Sequence, residues 1–507
     1  MRGGFMKDLE RVSQLVERYT MEARIKAFHT MFTNKNMSDA KSDDFIVDKT
    51  IVDSLKNAIA ISFYALTAPV TEKSAKTDFL KLERKLVILI NSFSKTNIQK
   101  NYQRGNSDIF LDASFAMSNS NLEYISAWQW IEFFEFFDDI IASLFKVKST
   151  SRLIKYVIAN EGNNEISLET FERGVMSLVT DEETKKLEEN SWELQELTRE
   201  MRNVESVQDA YNVLRKKLLP MVFYKGHLLY APNQHGSFQI TMEYMFLTQQ
   251  NKALKRIQTK FEDYVVEIIS KELTRIDPEV KIQPNYYVEI DGQEAEQDLL
   301  LQSDGFNWVV EIKASRINLG LSNVLHARKK LQTTYDKYAV KASQQISRAV
   351  QAIQDGEKIF TRVGKDKVNV DIMEPIRGII GVTVTLWNFS LLAHQQGLFL
   401  YEEHDVYPIL TVFDLQYLLK SISTTSDYAN LLNYFQYRLD NSEQIVAVDF
   451  DELNFYDVYE HDSGVELPSG QIVIGSKTPG IVSYVDDKIK PQLYAKISPF
   501  VAHRLDY

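Results

Sequence analysis

The chain contains no cysteine among its 507 residues. This absence excludes disulfide bonds, zinc sites made of thiolates, cysteine nucleophiles and cysteine-ligated iron–sulfur clusters. A long apolar run is also missing, because the most hydrophobic stretch, residues 128–145, is interrupted by four acidic side chains and does not suit a membrane span. Residues 1–6 lead into a charged segment and not into an apolar signal sequence. We therefore expect a cytoplasmic protein that has no membrane partner.

Recognisable chemical motifs are missing from the first half of the chain. Residues 1–245 contain no nucleotide-binding loop, no zinc-ligand pattern and no nucleophile elbow. Their apolar residues recur mostly at helical spacing, and the length of the chain predicts two or three domains. We expect this half to form a helical domain that serves regulation, substrate recognition or assembly. Its partner would be a regulatory protein or a second copy of the chain.

Two segments of this half allow a more specific prediction. The aromatic run at residues 128–137 is dense enough to suggest a surface on which nucleic-acid bases stack. The helical spacing of its rings, with acids among them, favours a helix packed in a core instead. Further along, Thr180 and Glu183 have the form of a capping box, which predicts one long helix from there to about Met201.

A hairpin at residues 293–313 carries the chemistry of the second half. Asp304-Gly305 is a strong signal for a two-residue turn between two strands. With those residues as the turn, Asp298 faces Glu311 across the strands, and both lie on one face because side chains alternate. The opposite face is expected to be buried, since it carries the apolar side chains of Leu299, Leu301, Trp308, Val310 and Ile312.

The polar face of this hairpin places two carboxylates against each other. Directly opposed residues have Cβ atoms about 4.5–5.5 Å apart, and two carboxylates at that distance repel unless a proton or a cation lies between them. Asp298 and Glu311 therefore suit a hard divalent cation held by few protein oxygens, as Mg²⁺ usually is. On the same face, Lys313 lies opposite Glu296 and can reach an anion beside the cation. The pattern favours metal-assisted phosphodiester cleavage.

Asp298, followed after twelve residues by Glu311-Ile312-Lys313, resembles the motif of the PD-(D/E)XK nucleases, the superfamily with the restriction-endonuclease-like fold. Gln297 stands where the name of the motif has proline. The resemblance covers about residues 250–390, where an amphipathic helix precedes the hairpin and a polar helix and a hydrophobic strand follow it. It implies an α/β fold (α+β overall) with an α-β-β-β-α-β core, preceded by a large, mostly helical N-terminal region.

The resemblance also implies a role for each residue of the motif. Asp298, Glu311 and the backbone carbonyl of Ile312 would ligate Mg²⁺, for which Mn²⁺ can substitute. Lys313 would orient the attacking water and stabilise the charge that develops on the phosphate. Loss of Lys313 is therefore expected to lower the rate more than the metal affinity, whereas loss of Asp298 is expected to lower both.

Two helices add candidates on either side of the hairpin. In the preceding helix, Glu262 is expected to help hold the metal, and Glu267, which lies on a different face, is the competing candidate. In the following helix, Gln344 and Gln345 occupy positions where members of the family often place a polar residue. We choose Gln345 as the residue that contacts the scissile phosphate or positions Lys313.

The helix predicted over residues 321–353 is positively charged, whereas the chain as a whole is negatively charged. The whole chain has a net charge of −12, which argues against nucleic acid as a partner. Between residues 321 and 350, however, a single acid, Asp336, accompanies six basic residues. We expect a phosphate backbone to pass along these six, which are Arg328, Lys329, Lys330, Lys337, Lys341 and Arg348. The alternative is a solvated helix face whose charge is balanced by acids elsewhere in the fold.

These features predict a metal-dependent endonuclease that acts on DNA, and analogy with the family suggests defence against foreign DNA as its role. An RNA- or structure-specific nuclease would use the same site. An inactive nuclease-fold scaffold that binds nucleic acid is the alternative from another class. The expected domains are the helical one over residues 1–245, a nuclease domain over 250–460 with its core at 250–390, and a small β-containing element over 461–507. In that last element we expect residues 471–474 and 481–485 to form strands.

Overall fold

The computed structural model describes most of the chain. The described residues are 2–33, 55–102, 125–160, 168–205, 207–230, 240–303, 305–314, 333, 335–375, 377–387, 407–423, 425–440, 445–447, 452–461, 465–466, 472–474 and 480–500. Among these residues, no helix is both long enough and apolar enough to cross a membrane. The expected mixture of helices and strands is confirmed: the described elements include numerous helices and a seven-stranded sheet in which parallel and antiparallel pairs are combined.

The described residues divide into two compact units. Unit 1 contains those before Gln258 together with those from Pro491 onward, and unit 2 spans Gln258–Lys490. The change of unit at Gln258 lies shortly after residue 250, where the second domain is expected to begin, and the described residues after 460 change unit at Pro491.

Unit 1 is built from helices and one small sheet. In that sheet the short strand β1 (Trp192–Glu193) pairs in parallel with β2 (Val222–Tyr224), and β2 pairs antiparallel with β3 (His227–Tyr230). The described helices are α1 (Arg2–Val16), α2 (Met21–Thr33), α3 (Leu55–Leu66), α4 (Phe79–Tyr102), α5 (Ala127–Phe136), α6 (Asp138–Phe145), α7 (Ser151–Ala159), α8 (Leu168–Ser177), α9 (Asp181–Glu189), α10 (Leu194–Met201) and α11 (Val207–Leu214). A π-helix at Tyr244–Thr248 follows them.

The two specific predictions for this half have different outcomes. The aromatic run forms α5 and the residue after it, and most of its rings are fully buried, so packing in a core is confirmed. The capping box of Thr180 and Glu183 is also present. The single long helix is wrong: α9 ends at Glu189, because the backbone of Trp192 pairs with that of Met221 and its indole ring is buried.

The centre of unit 2 is the seven-stranded sheet. Its strands are β4 (Lys281–Ile290), β5 (Gln293–Ser303), β6 (Phe306–Lys313), β7 (Lys358–Val363), β8 (Asp366–Asn369), β9 (Gly378–Thr385) and β10 (Ile409–Thr411), arranged in the order β10-β9-β6-β5-β4-β7-β8. The pairs β6–β9 and β9–β10 are parallel and the others are antiparallel. The predicted strands at residues 281–289 and 377–386 correspond to β4 and β9, whereas the β7–β8 hairpin was not predicted.

Helices pack on both faces of this sheet. The helices of this part of the chain are α12 (Asn251–Ile276), α13 (Lys341–Gln354), α14 (Val412–Ser421), α15 (Thr425–Asp440), α16 (Glu452–His461) and α17 (Gly480–Ile497). On one face, α13 packs against Leu300 of β5 and Val309 of β6 in a shared cluster. On the other face, Trp308 meets Phe435 of α15 edge to face. Both faces of β5 and β6 are therefore buried, including the one that carries the candidate site.

Helix α13 approaches the sheet closely. Its residues against the sheet include Ala349, Ala352 and Ile346, two of which are small. A Cβ atom at Gly381 of β9 would run into the side chains of Ile346 and Tyr407. The glycine at this position is thus what allows α13 to lie directly on β9.

The C-terminal part of unit 2 corrects one prediction. Residues 472–474 form the strand β13, which pairs in parallel with β11 (Ile445–Ala447) and antiparallel with β12 (Val465–Glu466). Residues 481–485 belong to α17 instead of a strand. Their apolar side chains at 481, 482 and 485 have helical spacing, and all three are buried in the fold.

Candidate active site

The candidate site lies where β5 and β6 separate. The two strands pair from Ser303–Phe306 to Leu299–Val310, which is the register that the turn predicted, although Asp304 itself lies outside the described residues. Beyond that point the ladder ends, so Asp298 is not paired with Glu311 across the strands as expected. The Asp298 carboxylate accepts a hydrogen bond from the backbone N–H of Ile312 instead, at 2.6 Å.

A break in the neighbouring strand accompanies this separation. Pairing between β4 and β5 keeps the same register on both sides but omits Asn285 and Asp298, which stand opposite each other. Asn285 has a φ of +51°, a left-handed conformation that asparagine tolerates better than most residues. Ala295 and Leu300 both pack in the cluster beneath α13, although strict alternation would place them on opposite faces. The side chains of β5 therefore change faces around Asp298.

The Lys313 ammonium joins the polar side chains of the site. It donates a hydrogen bond to Oε1 of Glu311 and lies 3.9 Å from Oδ2 of Asp298. It also donates to Oε1 of Gln345 in α13, at 3.3 Å. The structure thus brings Asp298, Glu311, Lys313 and Gln345 together, but Glu296, expected to face Lys313, is not among these partners.

Glu311 is the most deeply buried of these groups. Its side chain is 1% exposed, compared with 26% for Asp298 and 18% for Lys313. Burial raises the pKa of Glu311 to about 8, the Asp298 carboxylate adds to the increase, and Lys313 opposes it. Its second oxygen, Oε2, is buried and accepts no hydrogen bond from any residue that the structure describes. A carboxylate in this state is strongly favoured to gain a cation or a proton.

Glu262, on α12, lies at the edge of this group. Burial raises the pKa of its carboxyl to about 7, and the Asp298 carboxylate raises it further while Lys313 lowers it. The competing candidate, Glu267, is exposed. Glu262 is therefore the acid of α12 that shares the electrostatic environment of the site.

The donor set fits a hard divalent cation. The carboxylates of Asp298 and Glu311 flank the backbone of Ile312, and oxygen ligands of this kind, with several waters retained, are what Mg²⁺ prefers. The unpartnered Oε2 of Glu311 is the observation that supports this fit. Within the described ranges, no three His, Cys, Asp or Glu side chains lie together closely enough to hold a metal, so Glu262 does not complete a three-carboxylate cluster.

Basic side chains flank the site along α13. Lys341 and Arg348 are exposed and lie one turn before and one turn after Gln345, on the same side of the helix. Gln344, the alternative to Gln345, is exposed between them, and Lys337 is exposed in the π-helix Asp336–Val340 that leads into α13. The predicted Arg328, Lys329 and Lys330, and with them the first part of the long helix expected over 321–353, lie outside the described residues.

Two buried hydroxyl residues beside Glu311 were missed at the level of sequence. Thr383 on β9 is the register partner of Glu311, and Tyr286 on β4 packs in the cluster beneath α13. Neither belongs to a motif, and an isolated threonine or tyrosine in a strand gives no functional signal. The one available hint was that both stand in strands that border the hairpin.

Comparisons of the chain with protein-family models, with curated proteins and with solved structures find no match. The chemistry of the site therefore has to be argued from its own residues.

Proposed function

We propose that this chain is a magnesium-dependent endonuclease that hydrolyses phosphodiester bonds in DNA. The observation that carries the proposal is the meeting of Asp298, Glu311 and Lys313 at the point where β5 and β6 separate. Asp298 lies on β5, and Glu311 and Lys313 lie on β6. The chain order α12, β4, β5, β6, α13, β9 also agrees with the α-β-β-β-α-β core of the PD-(D/E)XK resemblance, with the β7–β8 hairpin inserted before β9.

In this proposal the carboxylates and the lysine have separate tasks. Asp298 and Glu311 hold the cation together with the carbonyl of Ile312, and the N–H of Ile312 fixes the Asp298 carboxylate. A bound Mg²⁺ supplies an acidified water and a positive charge beside the phosphoryl group. Lys313 orients the attacking water and stabilises the negative charge that develops on the phosphate.

Gln345 and the basic residues of α13 complete the site. Gln345 accepts a hydrogen bond from Lys313 and would keep the ammonium group in place when Glu311 binds the cation. Lys341 and Arg348 lie on the same side of the helix as Gln345 and are free of acidic neighbours within α13. A phosphate backbone that follows this side of α13 passes the reacting groups, which is the arrangement that cleavage within a strand requires.

The test is a cleavage assay on the purified full chain. Supercoiled, linear and single-stranded DNA and RNA are incubated with Mg²⁺, with Mn²⁺ and with a chelator, for the wild type and for Glu311→Gln. Metal-dependent cleavage of DNA that is lost in the variant supports the proposal, and nicked or linear products from supercoiled DNA identify an endonuclease. Cleavage of RNA alone reassigns the substrate, and cleavage that persists in Glu311→Gln places the active site elsewhere.

A further inference from the structure

Three buried polar atoms on strands β4, β6 and β9 of the sheet lie beneath α13 without a hydrogen-bond partner among the described residues. They are Oε2 of Glu311 on β6, the hydroxyl of Tyr286 on β4 and the hydroxyl of Thr383 on β9. All three residues have essentially no exposed surface. Buried polar groups in folded proteins nearly always have a partner, so a group of three calls for a functional explanation.

Thr383 is placed beside Glu311 by the sheet itself. The two residues are register partners in the parallel pair β6–β9, so their side chains leave the sheet side by side on the same face. Gly381, two residues earlier on β9, faces Ile346 of α13. Thr383 therefore lies on the α13 face, which is the face from which Gln345 reaches Lys313.

Tyr286 reaches the same place from the other side of β5. Its ring packs with Leu300, Val309 and Ile346 in the cluster beneath α13. Burial raises the pKa of its hydroxyl well above the ordinary value, and the Glu311 and Asp298 carboxylates raise it further. Tyr286 pairs across the strands with Gln297, the residue that precedes Asp298 on β5, so the sheet itself places Tyr286 beside the site.

We propose that Tyr286 and Thr383 are positioning residues whose hydroxyls hold the Glu311 carboxylate, through buried water, in the orientation in which it serves as a metal ligand. The inference rests on the proposed nuclease function. Ligating carboxylates are themselves usually held by hydrogen bonds, and loss of such a partner typically lowers metal affinity or activity by roughly 10-fold to 100-fold. A hydroxyl is the suitable partner, because it donates to a carboxylate without adding a charge that would compete with the cation.

The competing explanation is that both residues only fill space in the core. It predicts that removal of either hydroxyl stabilises the fold, because a buried hydroxyl without a hydrogen-bond partner is unfavourable. Tyr286→Phe and Thr383→Val each remove the hydroxyl and keep the shape of the side chain. The two explanations can therefore be separated with the same pair of variants.

The experiment measures binding of Mn²⁺ to the full chain by calorimetry, together with the cleavage rate and the melting temperature. We expect Tyr286→Phe and Thr383→Val to bind Mn²⁺ roughly 10-fold to 100-fold more weakly than the wild type and to cleave more slowly. Thr383→Ser, which keeps the hydroxyl, is expected to restore the affinity. A purely structural role would leave Mn²⁺ affinity unchanged in all three variants.

Tyr19→Phe provides the matched control. Tyr19 is buried in unit 1, which contributes none of the residues of the site, and its hydroxyl also lacks a hydrogen-bond partner among the described residues. We expect its Mn²⁺ affinity and cleavage rate to equal those of the wild type. Wild-type affinity with a raised melting temperature in Tyr286→Phe and Thr383→Val would overturn the inference and leave the nuclease proposal intact. A wild type that neither binds Mn²⁺ nor cleaves would overturn both.

Discussion

Replacing Glu311 with glutamine is expected to abolish cleavage and, at the same time, to change how the stability of the metal-free protein depends on pH. The carboxylate is 1% exposed and stands beside Asp298, so its charged form is unfavourable without a cation. Glutamine keeps the shape of the side chain and still offers an oxygen to Lys313. Because glutamine does not ionise, the substitution removes both the buried charge and the titratable proton of Glu311.

The magnitude follows from the pKa of Glu311. This pKa is raised from an ordinary 4.5 to about 8, mainly by burial. Between those two values the folded protein keeps a proton that the unfolded chain has released, so folding stability falls as pH rises through this window. One proton corresponds to about 1.4 kcal/mol per pH unit, and the loss between about pH 5.5 and 7.5 is therefore about 2.5 kcal/mol for Glu311 alone.

The assay is urea unfolding of both proteins in chelator at the two pH values. Contributions from groups that do not interact with Glu311 are common to wild type and Glu311→Gln, so the difference between their pH dependences reports on Glu311 and the groups that contact it. We expect the wild type to lose about 2.5 kcal/mol more than the variant, and excess Mg²⁺ to restore much of that loss in the wild type only. Equal pH dependences in chelator would refute the argument that Glu311 is a buried, unfavourable charge.

Three further predictions concern the lysine, the basic face of α13 and the glycine beneath it. Lys313→Met is expected to lower the single-turnover cleavage rate by roughly 100-fold to 1,000-fold. Its Mg²⁺ affinity, measured by calorimetry, should be retained or increased, because the ammonium group no longer binds Glu311. A loss of affinity parallel to the loss of rate would contradict this. Lys341→Ala and Arg348→Ala should each reduce the salt dependence of DNA binding by about one unit of slope, and an unchanged slope in a salt titration would show that no phosphate lies there. Gly381→Ala should lower the free energy of unfolding by about 1–3 kcal/mol, since its methyl group overlaps α13; wild-type stability in urea would disprove the close approach.

The register of the central hairpin could be predicted because its signals are local. A two-residue Asp-Gly turn fixes which residues pair, and the observed pairs from Ser303–Phe306 to Leu299–Val310 follow from it. The position of Gln345 beside Lys313 is also as expected. The register follows from a short stretch of sequence, whereas the choice of Gln345 came from the resemblance to the nuclease family.

The geometry at Asp298 could not be predicted in the same way. The pairing between β5 and β6 ends near Asp298, and the residue opposite Asp298 on β4, Asn285, has a left-handed conformation. An asparagine within a strand does not by itself predict such a conformation. Tyr286 was missed for a related reason, because its ring reaches the site across β5. Contacts between residues on strands that are not adjacent depend on how the side chains pack beneath α13, and local sequence spacing does not predict them.

The β7–β8 hairpin and α17 were missed for local reasons. Val363 pairs with Asp366, so Gly364 and Lys365 form a two-residue turn, and the positive φ of Gly364 suits such a turn. The strands around it are short and largely exposed, so their alternation is weak. Residues 481–485 follow a Pro-Gly turn signal and are predicted to be part of a small β hairpin, but they form the start of α17, and the spacing of their apolar positions is helical.

The most direct test of the central claim is the rate of Mg²⁺-dependent cleavage by Asp298→Asn under single-turnover conditions, on the DNA substrate that the wild type cleaves best. Asparagine preserves the acceptor for the N–H of Ile312 and removes only the charge, so the fold around the site should persist. We expect cleavage to fall by at least roughly 100-fold, together with weaker Mg²⁺ binding. A variant that cleaves at the wild-type rate would contradict the account, because the site built around Asp298 would then not be where the chemistry occurs.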